Sequence, residues 1–375
     1  MSAGSPPPDA QTRKGRIRRS RRILAHTFGA RLLPWVGFAW FGFVRRLVAL
    51  GQWIDRKRFG EALQRPLDRP VVIVGNPRSG TTFLHRYLAR SGLLAGSQLY
   101  GMVFPSVTLR RVLRPLLPLL EVVSPARFHR SAAHHTSLSS EETDDVLVFL
   151  RFLDGFFLYG FIWAWADEDL LDAVDPSVRD TFDRDMAWSD RAWRTLALAE
   201  GADRVVIKSF TLGANLPAFL ERYPDARVLY LVRDPVQTIP SGLSLITGVL
   251  DNAFGLDRVD PARRQRYHDR IYAAFIELYR RFIADWSAGR IDRSRVMVVP
   301  YSRMMADFDG LMDELLAFAE LDATPALRQK IAATASRQRA YTSAHRYGPE
   351  DFGLDGEQIR RDCAFVYEAF PDLSP

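Results

Sequence analysis

Twelve residues decide the fold of this chain: Val71-Val72-Ile73-Val74-Gly75-Asn76-Pro77-Arg78-Ser79-Gly80-Thr81-Thr82. The run of four β-branched residues predicts a buried strand. The loop after it has the spacing G-x-x-x-x-G, in which Gly75 and Gly80 let the backbone close tightly. A helix that starts at Thr81 would aim the N–H groups of residues 78 to 82 at one point, where they can hold an anion. The stretch therefore predicts a strand, an anion-binding turn and a helix.

Thr81 separates this loop from that of the nucleoside triphosphatases, which have a lysine at the same position. Without the lysine, the loop lacks a prominent part of magnesium-assisted phosphoryl transfer, while Arg78 supplies positive charge from inside the loop. The alternative is a glycine turn that ends a strand by chance. The strand before the loop and the helix after it favour the anion site.

Three further apolar runs rich in Val, Ile and Tyr predict strands: Val205–Ile207, Val228–Val232 and Val296–Val299. Helical patterns lie between them at Thr81–Ser91, Asn215–Tyr223 and Tyr267–Trp286. Alternation of short strands with helices is typical of an α/β protein with a central parallel sheet in a three-layer α/β/α arrangement.

Polar residues follow each predicted strand directly. Besides the loop, they are Lys208-Ser209, Arg233-Asp234 and Pro300-Tyr301. Ligands of open α/β sheets bind outside the carboxyl ends of the strands, so these elements are expected to converge on one edge of the sheet.

The loop Gly75–Thr82 resembles the 5′-phosphosulfate loop of sulfotransferases that use 3′-phosphoadenosine 5′-phosphosulfate, in the bacterial branch that has Arg in this loop. The segment Ala226–Ser241 is similar to the family's 3′-phosphate segment, which maps onto Arg233 and Ser241. The resemblance covers roughly residues 70 to 370. It implies a P-loop-like fold, this donor, adenosine 3′,5′-bisphosphate as product, and no metal.

The residues that the resemblance assigns to donor binding are Arg78, Ser79, Gly80, Thr81, Thr82, Arg233, Ser241 and Tyr301. An arginine offers fork-like donors to phosphate oxygens, and a hydroxyl at the start of the next helix adds another. The alternative for Arg233-Asp234 is a surface ion pair. The family's usual Tyr-Glu-Asp reads Tyr301-Ser302-Arg303 here, which weakens the assignment of Tyr301.

Sulfuryl transfer to a hydroxyl needs a base near the acceptor and positive charge near the bridging oxygen of the leaving phosphate. The resemblance supplies Lys208 and Arg78 for the second role. The position of the catalytic histidine of the family's cytosolic enzymes is Phe210 here. The stretch from His134 to Asp145 is similar to a histidine followed by an acidic helix start in the bacterial branch. This resemblance implies that the base lies there, with His134 first and Glu142 second. The same stretch also reads as a helix start capped by Ser139 or Ser140.

The net charge and the residue composition argue against several other classes of protein. The formal charge of the 375-residue chain is +7, but much of the excess lies in the arginine run of residues 13 to 22, so no nucleic-acid partner is expected. A single cysteine, Cys363, and scattered histidines fit a reducing, cytoplasmic location without a metal site.

The N-terminal part differs from the rest. Residues 1 to 12 are expected to be a disordered tail, residues 13 to 60 a basic and apolar helical extension, and residues 65 to 375 the sulfotransferase domain. The uncharged stretch Leu32–Val44 is shorter than the roughly 20 apolar residues that cross a bilayer. Residues 13 to 46 fit either peripheral contact with the inner face of the membrane, or packing on the core or in a homodimer.

The acceptor is expected to be a small molecule with a hydroxyl, or less readily an amine. Aromatic residues within Phe149–Trp165 either line an apolar acceptor cleft or form helix core, and they favour a lipid-like alcohol. Two other classes stay open on the sequence: a P-loop kinase or nucleoside triphosphatase, and a non-enzymatic basic module that binds membrane surfaces or nucleic acid.

Overall fold

A computed structural model describes residues 8–123, 130–131, 134–175, 178–340 and 348–373. The chain divides into two compact units. The helical unit comprises Met1–Leu67, Ser97–Asp203 and Leu243–Ala274, and the sheet unit comprises Asp68–Gly96, Arg204–Gly242 and Phe275–Pro375.

The strands are β1 (Val71–Val74), β2 (Ala95–Gly96), β3 (Arg130–Ser131), β4 (His134–His135), β5 (Val205–Lys208), β6 (Arg227–Val232) and β7 (Val296–Pro300). Five of them form a sheet in the order β2-β5-β1-β6-β7, with every neighbouring pair parallel. In this register Val72 lies between Ile207 and Val228. Strands β3 and β4 form a separate antiparallel pair.

The helices are α1 (Pro8–Gln11), α2 (Arg13–Phe28), α3 (Leu33–Phe59), α4 (Thr81–Ala89), α5 (Leu99–Val103), α6 (Val107–Leu113), α7 (Leu117–Val123), α8 (Asp145–Phe152), α9 (Phe156–Phe161), α10 (Phe182–Glu200), α11 (Leu216–Arg222), α12 (Pro235–Phe254), α13 (Pro261–Ser287), α14 (Tyr301–Ala306), α15 (Phe308–Phe318), α16 (Pro325–Arg339), α17 (Gly356–Asp362) and α18 (Ala364–Ala369). The boundaries between the two units fall inside α12 and α13.

The sheet unit has helices on both faces of the sheet, which confirms the predicted three-layer arrangement. Successive residues of a strand point to opposite faces. Leu229 and Leu231 of β6 join a buried cluster that includes Leu84 of α4 and Leu315 of α15. Tyr230, between them, stacks on Phe282 of α13 with ring centroids 3.5 Å apart. Both faces of β1 and β6 are buried, which explains why these strands are continuous apolar runs.

The four predicted strands are all present, and their bounds agree with the prediction within one residue. The short edge strand β2 was not predicted, because Ala95 and Gly96 give no strand pattern. The predicted long helix is also confirmed, and its aromatic stripe is buried as expected for core packing: Tyr272, Phe275, Ile276, Tyr279 and Phe282.

The N-terminal part differs from prediction in three ways. Pro8–Gln11 forms a helical turn with Ala10 buried, and Arg16 donates a hydrogen bond from Nη1 to Ala10 O over 2.8 Å, so the loose tail does not reach residue 12. Residues 1 to 7 lie outside the described residues. The N-terminal helices also group with residues 97–203 in one compact unit, whereas the sequence suggested a boundary near residue 60.

The third difference concerns the uncharged stretch Leu32–Val44, which lies almost entirely within a longer helix, α3. The helix runs through Arg45 and Arg46 and has 27 residues. Among the described residues, α3 is a helix that could cross a membrane by its length and composition. Only 17% of its most apolar 18-residue stretch is buried.

Candidate active site

Two glycines set the path of the loop between β1 and α4. Gly75 has φ of 130°, and a Cβ atom there would overlap the carbonyl oxygen of Leu231 on β6. Gly80 has φ of 92° and is the N-cap of α4, with the ring of Tyr301 beside it. Only glycine adopts both conformations without strain, so the loop lies directly against neighbouring strand ends.

Hydrogen bonds within the loop and to α13 hold the loop in its conformation. The buried Asn76 donates from Nδ2 to the carbonyl oxygen of Phe275 over 2.9 Å. Ser79 Oγ donates to Asn76 O over 2.6 Å, and Ser79 N donates to the same oxygen over 3.2 Å. These bonds turn the backbone so that Arg78, with φ of 74°, takes a left-handed conformation uncommon for a side-chain-bearing residue.

Helix α4 begins directly after the loop, at Thr81. The first N–H groups of a helix have no intrahelical acceptor and carry partial positive charge, which suits an anion. Lys208, at the end of β5, adds a full charge here, because its Nζ donates to Thr82 Oγ1 over 3.2 Å. The parallel register, which pairs Ile73 with Lys208, brings the two strand ends together.

The segment after β6 meets the loop through two arginines. Arg78 donates from Nε to Ser241 Oγ over 3.0 Å. Arg233 donates from Nη1 to Arg78 O over 3.1 Å, and its guanidinium carbon lies 4.1 Å from the ring centroid of Tyr301. Two basic side chains, a serine hydroxyl and an aromatic ring thus lie together at the carboxyl edge of the sheet.

Arg233 is oriented by residues that the sequence analysis did not select. Gln237, in the first turn of α12, accepts hydrogen bonds from Arg233 Nε and Nη2 over 3.2 and 3.0 Å. Tyr279 Oη donates to Arg233 O over 3.2 Å. The i, i+4 spacing of Arg233 and Gln237 at a helix start is the one sequence signal that could have identified this pair.

Asp234 anchors the C-terminal part of the chain to the same segment. It accepts a hydrogen bond from Tyr367 Oη over 2.6 Å and another from Val236 N over 2.9 Å. Burial raises the pKa of the Tyr367 hydroxyl, and its bond to Asp234 acts in the same direction, so Tyr367 stays a neutral donor. Arg233 and Asp234 bind different partners, which argues against the alternative of a self-contained ion pair.

All the residues expected to bind the donor, and Lys208, therefore lie in the sheet unit at the ends of its strands. They are Arg78, Ser79, Gly80, Thr81, Thr82, Lys208, Arg233, Ser241 and Tyr301. The predicted convergence of strand ends is present in the fold, and the binding roles stay predictions.

The two candidates for the base lie in the helical unit. His134 is in β4, paired with Ser131 of β3, and its side chain lies outside the described residues. Glu142 is 8% exposed and accepts a hydrogen bond from Ser140 Oγ over 2.9 Å. The assignment of the base stays a prediction.

The alternative reading of that stretch, a helix capped by Ser139 or Ser140, is wrong about the position. Helix α8 begins at Asp145, and Ser140 Oγ accepts a hydrogen bond from Ser137 N instead. Asp144 holds the stretch in place by accepting hydrogen bonds from Ser97 Oγ and Trp193 Nε1 over 2.7 and 3.0 Å.

A parallel α/β sheet with a glycine loop, a helix N-terminus and a second basic segment at its carboxyl edge defines a P-loop-like protein built to hold phosphate-type groups. The model of the Sulfotransferase family matches residues 70–325, more than half of the chain. The chain belongs to this family and is a sulfotransferase.

Similar proteins agree with this placement. The omega-hydroxy-beta-dihydromenaquinone-9 sulfotransferase Stf3 of Mycobacterium bovis and that of Mycobacterium tuberculosis are each 25% identical over 304 residues, 76% of this chain and 72% of the relative. The crystal structure of sulfotransferase STF1 from M. tuberculosis has a TM-score of 0.71 at 18% identity, over 97% of this chain and 94% of that one. Sulfotransferase STF9 from Mycobacterium avium has a TM-score of 0.62 at 17% identity, over 84% and 80%. The two solved structures support the fold.

Proposed function

We propose that the enzyme takes its sulfuryl group from 3′-phosphoadenosine 5′-phosphosulfate. The phosphosulfate end would lie on the loop Gly75–Thr82, and the 3′-phosphate would lie between Arg233 and Ser241. The observation that supports this proposal is the 3.0 Å hydrogen bond between Arg78 and Ser241, which joins the loop after β1 to the segment after β6. A donor with two separate phosphate groups matches two adjacent basic segments.

The proposed reaction is an in-line displacement at sulfur. The acceptor hydroxyl oxygen forms a bond to sulfur while the bond from sulfur to the bridging phosphate oxygen breaks, and the hydroxyl proton passes to the base, His134 or Glu142. Negative charge grows on the leaving phosphate. Lys208 supports this step because its ammonium group contacts Thr82 at the start of α4, and Arg78 adds a second cation from the loop.

We further propose that the acceptor is a hydroxyl on a hydrophobic, lipid-like molecule. Four half-buried phenylalanines of the helical unit form a row with ring centroids 6.0, 6.3 and 5.7 Å apart: Phe41, Phe149, Phe157 and Phe161. The other aromatic residues of this region are mostly core, since Tyr159, Trp163 and Trp165 are fully buried. A half-buried aromatic row suits an apolar chain. The relative Stf3 is named for a dihydromenaquinone derivative, which also supports a lipid-like acceptor.

Ligand-dependent thermal stability tests the donor. Adenosine 3′,5′-bisphosphate should raise the melting temperature without magnesium, because a ligand that binds only the native state stabilises it. Adenosine 5′-monophosphate should raise it much less, since it lacks the 3′-phosphate. Equal shifts from the two nucleotides would contradict a 3′-phosphate subsite at Arg233 and Ser241.

The same experiment separates the rival class. A P-loop kinase or nucleoside triphosphatase would be stabilised by ATP only with Mg²⁺, whereas the sulfotransferase needs no metal for its product nucleotide. For the acceptor, lipids from cells with and without the gene are compared by mass spectrometry for an added sulfate mass. A sulfated species confined to the water-soluble fraction would contradict a lipid-like acceptor and leave the donor assignment intact.

A further inference from the structure

The large hydrophobic side chains that stand exposed among the described residues fall into two stretches of the helical unit. In and just before α3 they are Leu32, Leu33, Trp35, Val36, Trp40, Phe43, Leu50 and Trp53, and in and around α6 and α7 they are Val112, Leu116, Leu119 and Val122. Their exposed fractions range from 47% to 80%. We propose that these residues, called here the apolar surface, dock on an anionic lipid bilayer with α3 lying in the plane of the interface.

One side of α3 packs against α6 and the residues just before it, within the helical unit. Asp55 accepts hydrogen bonds from Val107 N and Thr108 N over 2.7 and 2.9 Å and so caps α6. Gln52 donates to Pro105 O over 3.0 Å. A Cβ atom at Gly51 would lie against Leu109 of α6, so the two helices pack closely here.

The other side of α3 carries the apolar surface. Leu33, Val36, Trp40, Phe43 and Leu50 share one face, because the spacings between them are three, four, three and seven. The rings of Trp40 and Phe43 lie 5.5 Å apart and form one aromatic pair. Tryptophan and phenylalanine on a helix with cationic flanks are the residues that bind at the level of lipid headgroups.

Helices α6 and α7 extend this exposed character beyond α3. Leu119 and Val122, both in the seven-residue helix α7, are 65% and 67% exposed. A continuous run of exposed apolar side chains such as that of α3 marks an interaction site, whereas singly scattered ones do not.

The positive charge of the N-terminal helices favours an anionic bilayer over a second copy of the chain as the partner of this surface. Residues 13 to 58 contain 13 arginines and lysines and one acid, Asp55, which is buried in its bonds to α6. Arg16 and Arg19 pair with acids from outside this range, and the other cations give the region a large positive excess. Two copies that meet through α3 would bring like charges together, which opposes a homodimer on this face. An anionic bilayer supplies the opposite charge, worth about 1 kcal/mol for each basic residue near the surface.

The position of Arg45 and Arg46 argues against a helix that crosses the bilayer. They lie at the middle of the 27-residue helix, where each would cost about 2.5 to 3.5 kcal/mol at the bilayer centre. A helix in the interface plane keeps both guanidinium groups among the headgroups while Trp40 and Phe43 enter the acyl boundary.

Flotation of the full chain with vesicles tests the proposal. Vesicles of phosphatidylcholine with phosphatidylglycerol should carry the protein, phosphatidylcholine alone should carry at least about tenfold less, and added salt should release it. The double variant Trp40→Gln, Phe43→Gln should lose about tenfold or more in vesicle affinity, and Leu119→Gln should weaken it further.

A second pair of variants isolates the charge contribution. Arg46→Gln with Arg58→Gln should weaken binding to anionic vesicles, whereas Arg328→Gln with Arg339→Gln, which removes the same charge from exposed ion pairs of the sheet unit, should leave it unchanged. Stabilisation by adenosine 3′,5′-bisphosphate should persist in all these variants, because none lies at the donor site. If adenosine 3′,5′-bisphosphate does not stabilise the unmodified chain, the donor proposal is overturned, whereas membrane docking is not.

Three results would overturn membrane docking. The first is no flotation with anionic vesicles at low salt. The second is a dimer in light scattering that Trp40→Gln, Phe43→Gln dissociates, since the surface would then bind a second copy. The third is protein that stays in the membrane after alkaline carbonate extraction, which indicates that α3 spans the bilayer.

Discussion

The guanidinium of Arg78 donates a hydrogen bond from Nε to the hydroxyl oxygen of Ser241 over 3.0 Å, although 163 positions separate the two residues in the chain. Arg78 belongs to the loop after β1, and Ser241 belongs to α12 after β6. The contact joins the two segments that the donor's phosphate groups would need. It is also the simplest contact to test by substitution.

Substitution of either partner should weaken product binding. Ser241→Ala removes one hydroxyl, for which we expect about a threefold to tenfold loss of affinity for adenosine 3′,5′-bisphosphate in calorimetry. Arg78→Lys keeps a charge but loses the planar fork, so about a tenfold loss or more is expected. Ser244→Ala, on the same helix, is the matched control. Unchanged affinity in both test variants would show that this contact is not part of the donor site.

Gln237 should act on the 3′-phosphate through Arg233. Gln237→Ala frees Arg233 Nε and Nη2 from their acceptor, so the guanidinium is less well ordered and affinity for adenosine 3′,5′-bisphosphate should fall about threefold to tenfold. Affinity for adenosine 5′-monophosphate should stay the same, since its phosphate lies on the loop. Calorimetry with both nucleotides measures the difference, and equal losses would indicate a general structural effect.

The base should affect turnover and not donor binding. His134→Ala is expected to lower the rate of sulfate transfer from radiolabelled donor into extracted lipid by about 10² to 10⁴. His135→Ala, the neighbouring substitution on β4, is the control. A full rate in His134→Ala together with a loss in Glu142→Gln would move the role to Glu142. Full rates in both would exclude the two candidates.

Gly75 should not tolerate a side chain. Gly75→Ala places a Cβ atom against Leu231 O at a φ of 130°, so a loss of about 2 kcal/mol or more in the free energy of unfolding is expected. Gly213→Ala is the control, because a Cβ atom there meets nothing within 4 Å. Urea denaturation measures both, and equal stability of the two variants would contradict the close approach of the loop to β6.

Cys363 should be inert in the folded protein. It is fully buried, and burial raises the pKa of its thiol to about 12. The unfolded thiol ionises near pH 8.5, so the contribution of Cys363 to stability is complete below that pH and is lost as pH rises toward 12. Iodoacetamide at pH 8 should therefore label the protein only in denaturant. Rapid labelling of the native protein would contradict this burial.

The loop, four strands and the long helix could be predicted from the sequence because each depends on local pattern. Val71–Val74 is apolar on both faces, and the spacing of Gly75 and Gly80 is fixed by the turn itself. Gln237, Tyr279 and Tyr367 could not be selected, because their roles come from contacts with residues that lie elsewhere in the sheet unit. The apolar run does not reveal the length of α3, because Arg45 and Arg46 interrupt that run without interrupting the helix.

The sequence by itself determined that this protein is an α/β sulfotransferase with a glycine loop after its first strand, since strand pattern, glycine spacing and the lysine replaced by Thr81 are local properties of the chain. Only the tertiary structure decided that Arg78 meets Ser241, that Gln237 orients Arg233, and that the aromatic face of α3 stays exposed. The physical reason is that parallel pairing brings distant strand ends to one edge, and the packing of α6 against α3 decides which side of that helix remains outside.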